Sequence, residues 1–469
     1  MPGVSIMLAL GAGLVLRLTM LKQFFDIHGD PLIYGGLAKN LLLHGSYALT
    51  GGGGELCPTL IRLPGYPLFL ALCFRLFGME NYVSAAWVQI ALELAGCLLL
   101  ADFAGRIARR SGTGFSRGAA HATLWLAALC PFTAVYAAEP LAESLTLFVM
   151  ALALWSAARF RDRPGWGPAL WFTFAVSYAA LLRPDGALVG VALAPALLIG
   201  LKRGDGAGAI STRKLARMAV VCLLLALTPF AVWTWRNERV FHVFEPLAPR
   251  LANDPGENSH PGWERWMKSW CLDFVSTYEI YWNVPGDTLE ITQLPARAFD
   301  SPAQYAETAE LASDYNLSLD LTPEIDARFG KLADERIAAH PLRSYLWLPL
   351  GRVADMWLRP RVENLPIDLD WWVYAHHNDE TRFSWAYAGL NAVYLLLGFA
   401  GLCLRPRFWG PMLAYFVLRS AMLMTVEAPE ARYTLECFPM LFALGGVAAW
   451  WVFQRITGLS LRSPEDKKL

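Results

Sequence analysis

The chain has 469 residues, of which 55% are hydrophobic and only 17% are charged, and its formal net charge is zero. A soluble protein of this length would have about a quarter of its residues charged. The balanced charge lacks the basic excess of nucleic-acid-binding proteins, so no nucleic-acid partner is expected. The apolar residues form runs of about 17–25 residues, the length that crosses a bilayer. The sequence therefore predicts a polytopic membrane protein.

The first apolar run extends from Val4 to Leu21. A cleaved signal peptide would need a basic N-terminal region and a small-residue cleavage site. No Lys or Arg precedes Arg17, and no A-x-A cleavage pattern follows the run. We therefore predict a first membrane span and not a signal peptide.

Ten apolar runs have the length and composition of membrane spans. The predicted spans are residues 4–21, 82–103, 119–137, 141–158, 168–182, 186–201, 218–235, 384–404, 408–426 and 434–454. Clusters of Lys and Arg follow every second span, as in the loop around Arg106 and Arg117 and in the tail after Arg455. Because short loops rich in these residues stay in the cytoplasm, the remaining loops face outward. The predicted outer segments are 22–81, 183–185, 237–383 and 427–433.

Two further apolar segments are predicted to lie along the outer membrane surface. Segment 341–358 contains two Arg and one Asp, which are costly inside hydrocarbon. We expect an interfacial helix here, with Trp347 and Trp357 as anchors. Segment 65–77 is too short to span a bilayer and contains Arg75, so we expect the same arrangement.

The predicted first outer loop contains candidate catalytic and binding residues. Asp30 directly precedes a helical pattern over 31–44, and position alone leaves it open whether Asp30 is a catalytic base or a helix N-cap. The glycine run Gly51–Gly54 lacks the Lys of a phosphate-binding loop, so a hinge is predicted. Arg62 follows in the sequence RLPGYP.

Four outer-side arginines lie at predicted membrane boundaries, where a guanidinium can bind phosphate oxygens or anchor to lipid headgroups. They are Arg62, Arg183, Arg236 and Arg432. Charged residues also fall inside predicted spans, and we favour structural pairs such as Arg419 with Glu93 or with Glu436. The charges in this second group are Glu93, Glu139, Glu143, Arg419 and Glu436.

Histidines and cysteines favour no metal or redox site. His376, His377 and Asp379 form the one histidine cluster of the sequence, and adjacent side chains do not easily share one ion. We expect a solvated loop there and no cofactor, although the sequence leaves a divalent metal open. The eight Cys contain no CxxC pattern. Cys57 and Cys271 both fall in predicted outer segments, and we favour free thiols over a disulfide.

Three tryptophans in the large outer segment allow two interpretations. Trp263, Trp266 and Trp270 could stack on a sugar ring, or they could form the apolar face of a helix. Their spacing favours the helix face. A second helix is predicted over 323–339.

These segments together resemble the GT-C class of integral-membrane glycosyltransferases, in particular family 39, which includes dolichyl-phosphate-mannose protein mannosyltransferases and the aminoarabinose transferase of lipid A. The pattern of Asp30, Tyr34, Ala38, Asn40 and Gly45 is similar to the first outer loop of that family. The other segments that carry the resemblance are EPLAESL with Glu143, LLRPDG with Arg183, TWRNERVF with Arg236, RLPGYP with Arg62 and Tyr66, and PEARYTLECFP with Arg432 and Tyr433.

The resemblance implies an all-α fold: a GT-C-like bundle of about ten transmembrane helices, an amphipathic first outer loop and a small extracytoplasmic subdomain. It implies an inverting transfer of a sugar from a polyprenyl-phosphate donor to an extracytoplasmic acceptor, with Asp30 as the base. The implied phosphate contacts are Arg62, Arg183, Arg236 and Arg432, and the implied supporting residues are Tyr34, Tyr66, Glu143 and Tyr433. The acceptor is expected under the large outer segment.

One position departs from the family pattern. Many relatives carry a second acid before the proline-rich turn, where this chain has Leu60-Ile61-Arg62-Leu63-Pro64, and the nearest carboxylate is Glu55. The departure puts the protein-mannosyl and aminoarabinose activities in doubt.

Three regions are predicted: a membrane core over 1–236 that includes the loop 22–81, an extracytoplasmic region over 237–383, and C-terminal spans with a cytoplasmic tail over 384–469. The alternatives are a transporter or flippase of lipid-linked sugars and a non-catalytic lipid-linked-sugar binding protein. A transporter would predict inverted repeats, which the sequence lacks. The abundance of Ala, Leu, Gly and Arg favours a bacterial inner membrane, with the active site on its outer side.

Overall fold

The structure is a computed structural model, and it describes residues 2–108, 112–202, 211–250, 252–370 and 377–458. The chain divides into two compact units. The first unit comprises Met1–Glu257, Val393–Phe416 and Leu435–Leu469, and the second unit comprises Asn258–Ala392 and Val417–Thr434.

Each of the ten predicted spans corresponds to helix in the structure. Hydrocarbon offers no hydrogen-bond partner for the backbone, so a crossing segment must satisfy its own peptide groups as a helix does. These helices are α1 (Pro2–Phe24), α4 (Tyr82–Ile107), α5 (Thr113–Ala128), α7 (Ala142–Asp162), α8 (Trp166–Leu182), α9 (Leu188–Lys202), α10 (Thr212–Phe241), α16 (Asn378–Cys403), α17 (Trp409–Leu423) and α18 (Phe438–Thr457). The short α6 (Pro131–Ala134) follows α5.

Within the described ranges, six helices are long and apolar enough to cross a membrane. A seventh crossing results if α5 and the segment Pro131–Ala137, which are bent by 48°, form one span. The predicted multi-pass membrane protein is therefore confirmed. The predicted number of ten spans remains a prediction, because α8, α9 and α17 have only 17, 15 and 15 residues.

The segment predicted to be the first outer loop contains α2 (Asp30–His44), a hairpin of β1 (Ala48–Thr50) and β2 (Leu56–Pro58), and α3 (Gly65–Phe77). Gly29 is the N-cap of α2 with φ at 66°, so the interpretation of Asp30 as the N-cap is wrong. The two strands are antiparallel, with Ala48 opposite Pro58. The hairpin was not predicted: the glycine run expected to be a hinge forms its turn, where the Gly51 N–H donates to the Glu55 carbonyl at 2.9 Å.

A buried ion pair connects several helices of the first unit. Arg17 Nε lies 2.7 Å from Glu93 Oε2, and both side chains are at most 3% exposed. Arg17 also donates to the Ala128 carbonyl at 2.9 Å, and Ser144 Oγ donates to Glu93 at 2.8 Å. Glu93 therefore belongs to a structural ion pair, as expected, and its partner is Arg17 of the neighbouring helix, which the sequence analysis did not name.

The second unit contains α11 (Pro261–Lys268), the one-turn α12 (Phe274–Ser276), α13 (Pro302–Asn316), α14 (Pro323–Ala339) and α15 (Leu348–Leu358). The predicted helix over 323–339 is confirmed as α14. Trp263, Trp266 and Trp270 are each at most 2% exposed and pack in one core with Phe329 of α14. Trp263 and Trp266 form the apolar face of α11 as predicted, whereas Trp270 follows the end of that helix; all three rings are buried, so they are not exposed for stacking on a sugar.

The segment predicted to lie along the membrane surface is helical and has two different faces. A π-helical turn over Arg343–Trp347 leads directly into α15. Trp347 is 63% exposed, whereas Trp357 donates its indole N–H to Ser420 Oγ at 3.3 Å. Only the first of the two expected anchors therefore points outward, and the interfacial location stays a prediction.

Candidate active site

Asp30 and Arg62 form an ion pair in the first outer loop. Asp30 is the first residue of α2, and Arg62 lies between β2 and α3. Arg62 Nη2 donates to Asp30 Oδ1 at 2.8 Å, and each side chain is 26% exposed. The pair is therefore accessible to a ligand. A nearby guanidinium also stabilises the negative charge of a carboxylate.

Tyr34 lies one turn after Asp30 on α2, among four charged groups. Burial raises the pKa of Tyr34 to about 12; the charges of Asp30 and Glu143 add to this rise, and those of Arg62 and Arg183 oppose it. These electrostatic interactions bring five of the predicted residues into one neighbourhood. The raised pKa keeps the Tyr34 hydroxyl protonated at neutral pH.

Arg183 is surrounded by three carboxylates of the first unit. Its Nη1 lies 3.2 Å from Glu143 Oε1, and its Nε lies 3.4 Å from Glu436 and 3.6 Å from Asp185. Tyr415 donates to the second oxygen of Glu436 at 3.0 Å. Glu143 was predicted here, whereas the sequence analysis gave no site role to Asp185, Glu436 or Tyr415.

The three residues without a predicted site role differ in how readily the sequence could have identified them. Asp185 belongs to the LLRPDG segment, two residues after Arg183, so its acid could have been included. Glu436 lies four residues after Arg432 in the segment PEARYTLECFP and was assigned only a structural pair. Tyr415 carries no local signal, because it reaches Glu436 only through helix packing.

Tyr66 supports the site from a fully buried position. Its hydroxyl donates to Gln89 Oε1 at 2.5 Å, and its ring packs edge-on against Tyr34 with centroids 5.0 Å apart. Burial raises the pKa of Tyr66 well above its ordinary value. Tyr66 therefore orients Tyr34 by packing and is not itself open to a ligand.

Arg236 makes contacts of another kind. Its two terminal nitrogens donate to the carbonyls of Thr59 and Tyr47 at 2.9 and 2.7 Å. Its guanidinium also lies over the rings of Tyr47, Trp233 and Phe241. The predicted phosphate contact of Arg236 is untested, and these contacts tie it to the first outer loop.

Arg432 and Tyr433 belong to the second unit. Arg432 Nε lies 2.5 Å from Glu430 Oε2, and the hydroxyl of Tyr433 donates to the other oxygen of Glu430. The Tyr433 carbonyl accepts from Arg419 Nη2 at 2.7 Å. The two residues thus form a compact charged cluster around Glu430, and their predicted site roles remain predictions.

Glu55 and His377, which the sequence analysis also named, are exposed. Glu55 lies in the hairpin turn. In the second unit, Asp368, His377 and Glu380 place their ligand atoms within 4.8 Å of one another. Ion pairs within this exposed group explain its geometry, with His377 Nδ1 lying 3.3 Å from Glu380. His376 lies outside the described residues, and the expectation of no metal is untested.

The cysteines predicted to be free are free thiols in the structure. Cys57 is exposed, and Cys271 is buried. Burial raises the pKa of Cys271 to about 12, so its thiol stays protonated and unreactive at neutral pH.

Solved structures give the fold. No protein-family model matches the sequence, and no curated protein matches it significantly. The archaeal oligosaccharyltransferase AglB from Archaeoglobus fulgidus, solved with an inhibitory peptide and a dolichol-phosphate, is similar with a TM-score of 0.50 and 12% identity, over 98% of this chain and 52% of AglB. ArnT from Cupriavidus metallidurans bound to undecaprenyl phosphate has a TM-score of 0.38 and 16% identity, over 97% of this chain and 78% of ArnT.

The apo structure of the same ArnT gives a TM-score of 0.38 and 17% identity, over 95% of this chain and 76% of ArnT. Together with the helical architecture and the long apolar helices, the likeness to AglB identifies a GT-C-like membrane glycosyltransferase fold. The predicted all-α, GT-C-like fold class is confirmed, whereas the number of about ten transmembrane helices stays a prediction. This chain spans about half the length of AglB.

Proposed function

We propose that the protein is an inverting glycosyltransferase that moves a sugar from a polyprenyl-phosphate donor to an extracytoplasmic acceptor. The observation that carries this proposal is the Asp30–Arg62 pair, with each side chain 26% exposed, at the start of a loop helix in a chain with a GT-C-like fold. A carboxylate and a guanidinium are the two groups that this chemistry requires, because one takes a proton and the other holds a phosphate.

In the proposed reaction, the acceptor hydroxyl oxygen attacks the anomeric carbon of the donor sugar. The bond from that carbon to the phosphate oxygen breaks, and polyprenyl phosphate leaves with the electron pair. Asp30 takes the hydroxyl proton. A phosphate is already a good leaving group, so no general acid is required. A single displacement inverts the anomeric centre, by analogy with one-step glycosidases.

Arg62 and Arg183 are the proposed phosphate contacts in the first unit. Each guanidinium is already paired with carboxylates. A planar guanidinium has five N–H donors, so it can bind a phosphate oxygen while it retains one carboxylate bond. Arg432 of the second unit remains a proposed phosphate or headgroup contact.

Transfer in proteoliposomes tests the proposal. Purified protein is supplied with radiolabelled polyprenyl-phosphate sugars and with crude outer-side acceptors. We expect Asp30→Asn to lower transfer by about 10²–10⁴-fold while donor binding survives, because only the base is removed. The matched control is Asp26→Asn, since Asp26 is 59% exposed on the same loop and pairs with His28.

Two results would contradict the proposal. Equal transfer by wild type and Asp30→Asn would remove Asp30 from the mechanism. Binding of donors without any transfer by the wild type would favour a lipid-linked-sugar binding protein or a transporter instead.

A further inference from the structure

Arg236 lies five residues before the end of α10, and its contacts assign it a different task from the predicted phosphate contact. We infer that Arg236 is a positioning residue, which clamps the first outer loop so that Arg62 lies against Asp30. This inference rests on the proposed function, because it concerns the geometry of the proposed base and its partner.

The clamp holds both ends of the hairpin. Tyr47 directly precedes β1 and Thr59 directly follows β2. Arg236 Nη2 donates to the Tyr47 carbonyl at 2.7 Å, and Nη1 donates to the Thr59 carbonyl at 2.9 Å. One planar side chain therefore connects the residues before and after the hairpin to α10. A Lys side chain, with a single ammonium group, cannot make both hydrogen bonds with the same geometry.

The guanidinium is itself held in place. The ring centroids of Tyr47, Trp233 and Phe241 lie 5.5, 5.2 and 5.2 Å from its central carbon. Its Nη1 also donates to Asn237 Oδ1 at 3.0 Å, and Asn237 is fully buried and donates to the Glu245 carbonyl. Both terminal nitrogens are thus engaged by protein oxygens, and aromatic rings surround the plane.

A short path connects the clamp to the site. Thr59 is three residues before Arg62. The Tyr47 hydroxyl donates to the Arg62 carbonyl at 3.0 Å, and Arg62 Nη2 donates to Asp30. Arg236 thus holds the residue whose hydroxyl fixes the Arg62 backbone. A displacement of about 1 Å in a catalytic group can cost up to about 100-fold in rate, so such a clamp matters for transfer.

The test uses full-length Arg236→Lys and Arg236→Gln in nanodiscs. We expect both variants to lose about tenfold in kcat while the Kd for a fluorescent polyprenyl phosphate changes less than about twofold. Hydrogen exchange should rise over residues 45–62. The matched control is Arg239→Gln, because Arg239 is exposed one turn later on α10 and stacks on Trp235, at 4.5 Å.

Tyr47→Phe provides a second variant that keeps the ring and the carbonyl but removes the bond to Arg62. We expect it to reproduce the loss in kcat at unchanged Kd. This variant tests the same path if the Arg236 variants do not fold.

Two outcomes would overturn the inference. A weaker Kd in Arg236→Gln that Arg236→Lys restores, with unchanged exchange, would make Arg236 a phosphate contact. Unchanged exchange and unchanged kcat in all three variants would show that no clamp operates. If the wild type transfers no sugar, the proposed function fails, but the exchange over 45–62 still decides whether the clamp exists.

Discussion

At the scale of residues, the candidate arginines of each unit are already paired with carboxylates. Arg62 is paired with Asp30, Arg183 with Glu143 and its neighbours, and Arg432 with Glu430. An unpaired charge near hydrocarbon is costly, so each guanidinium needs a local counter-charge before any ligand arrives. In the proposed function, a phosphate that binds Arg62 shares or displaces the Asp30 carboxylate, so donor binding is linked to the state of the proposed base.

Tyr34 is predicted to act as a neutral hydroxyl. Tyr34→Phe should lower transfer about tenfold, since the variant lacks a hydroxyl that can donate a hydrogen bond to a ligand among these charged groups. Its pKa is about 12, so the hydroxyl stays protonated well above neutral pH. The pH–rate profiles of wild type and variant should therefore have the same shape from about pH 6 to 9.

The control for this measurement is Tyr345→Phe, because Tyr345 is 74% exposed in the second unit. A basic limb that is present in the wild type and disappears in Tyr34→Phe would contradict the prediction, because it would show that Tyr34 titrates in this range.

At the scale of elements, one close contact positions both arginines of the first unit. A Cβ at Gly65 would lie 2.5 Å from the Leu181 carbonyl oxygen, so the start of α3 touches the end of α8. Tyr178 of α8 donates its hydroxyl to the Gly65 carbonyl at 3.0 Å. Arg62 lies three residues before Gly65, and Arg183 directly follows α8. The contact thus fixes the backbone positions from which the Arg62 and Arg183 side chains extend.

Gly65→Ala should separate α3 from α8. We expect a loss of about 1–3 kcal/mol in unfolding free energy, as for other overpacked sites, together with reduced transfer. Thermal unfolding in detergent and the transfer assay measure the two effects. Gly52→Ala is the matched control, because a Cβ there meets no atom within 4 Å. Wild-type stability and transfer in Gly65→Ala would show that the close approach is not required.

At the scale of the whole molecule, ion pairs connect the segments that are predicted to lie on the cytoplasmic side. Asp162, at the end of α7, accepts from Arg106 at 2.6 Å and from Arg407 at 2.9 Å. Three of the Arg-containing segments that the topology places inside therefore meet at one carboxylate. This convergence agrees with a common side for these segments, as the positive-inside rule predicts.

Two native cysteines can test the predicted sidedness. Cys57 is exposed in β2, and Cys403 is exposed at the end of α16. A membrane-impermeant maleimide should label Cys57 in intact cells and should label Cys403 only after permeabilisation. Cys57→Ser and Cys403→Ser identify each signal. Labelling of Cys403 in intact cells, with Cys57 protected, would reverse the topology and the predicted side of the site.

Local patterns determined a large part of this protein. Apolar length predicted the helices that cross the membrane, and the periodicity and composition of 323–339 predicted α14. The first outer loop was identified from Asp30 and Arg62, both in one short segment. These features are visible in sequence because each depends on residues that are neighbours along the chain.

Only the tertiary structure decided which residues the charged side chains pair with. Arg17 pairs with Glu93, and Arg183 with Glu436, although long stretches of chain separate the members of each pair. Arg236 likewise donates hydrogen bonds to the hairpin carbonyls and does not extend freely from the surface. Hydrophobicity requires only that a helix be buried; which buried charges meet depends on how the helices pack, because an ion pair needs its atoms within about 4 Å.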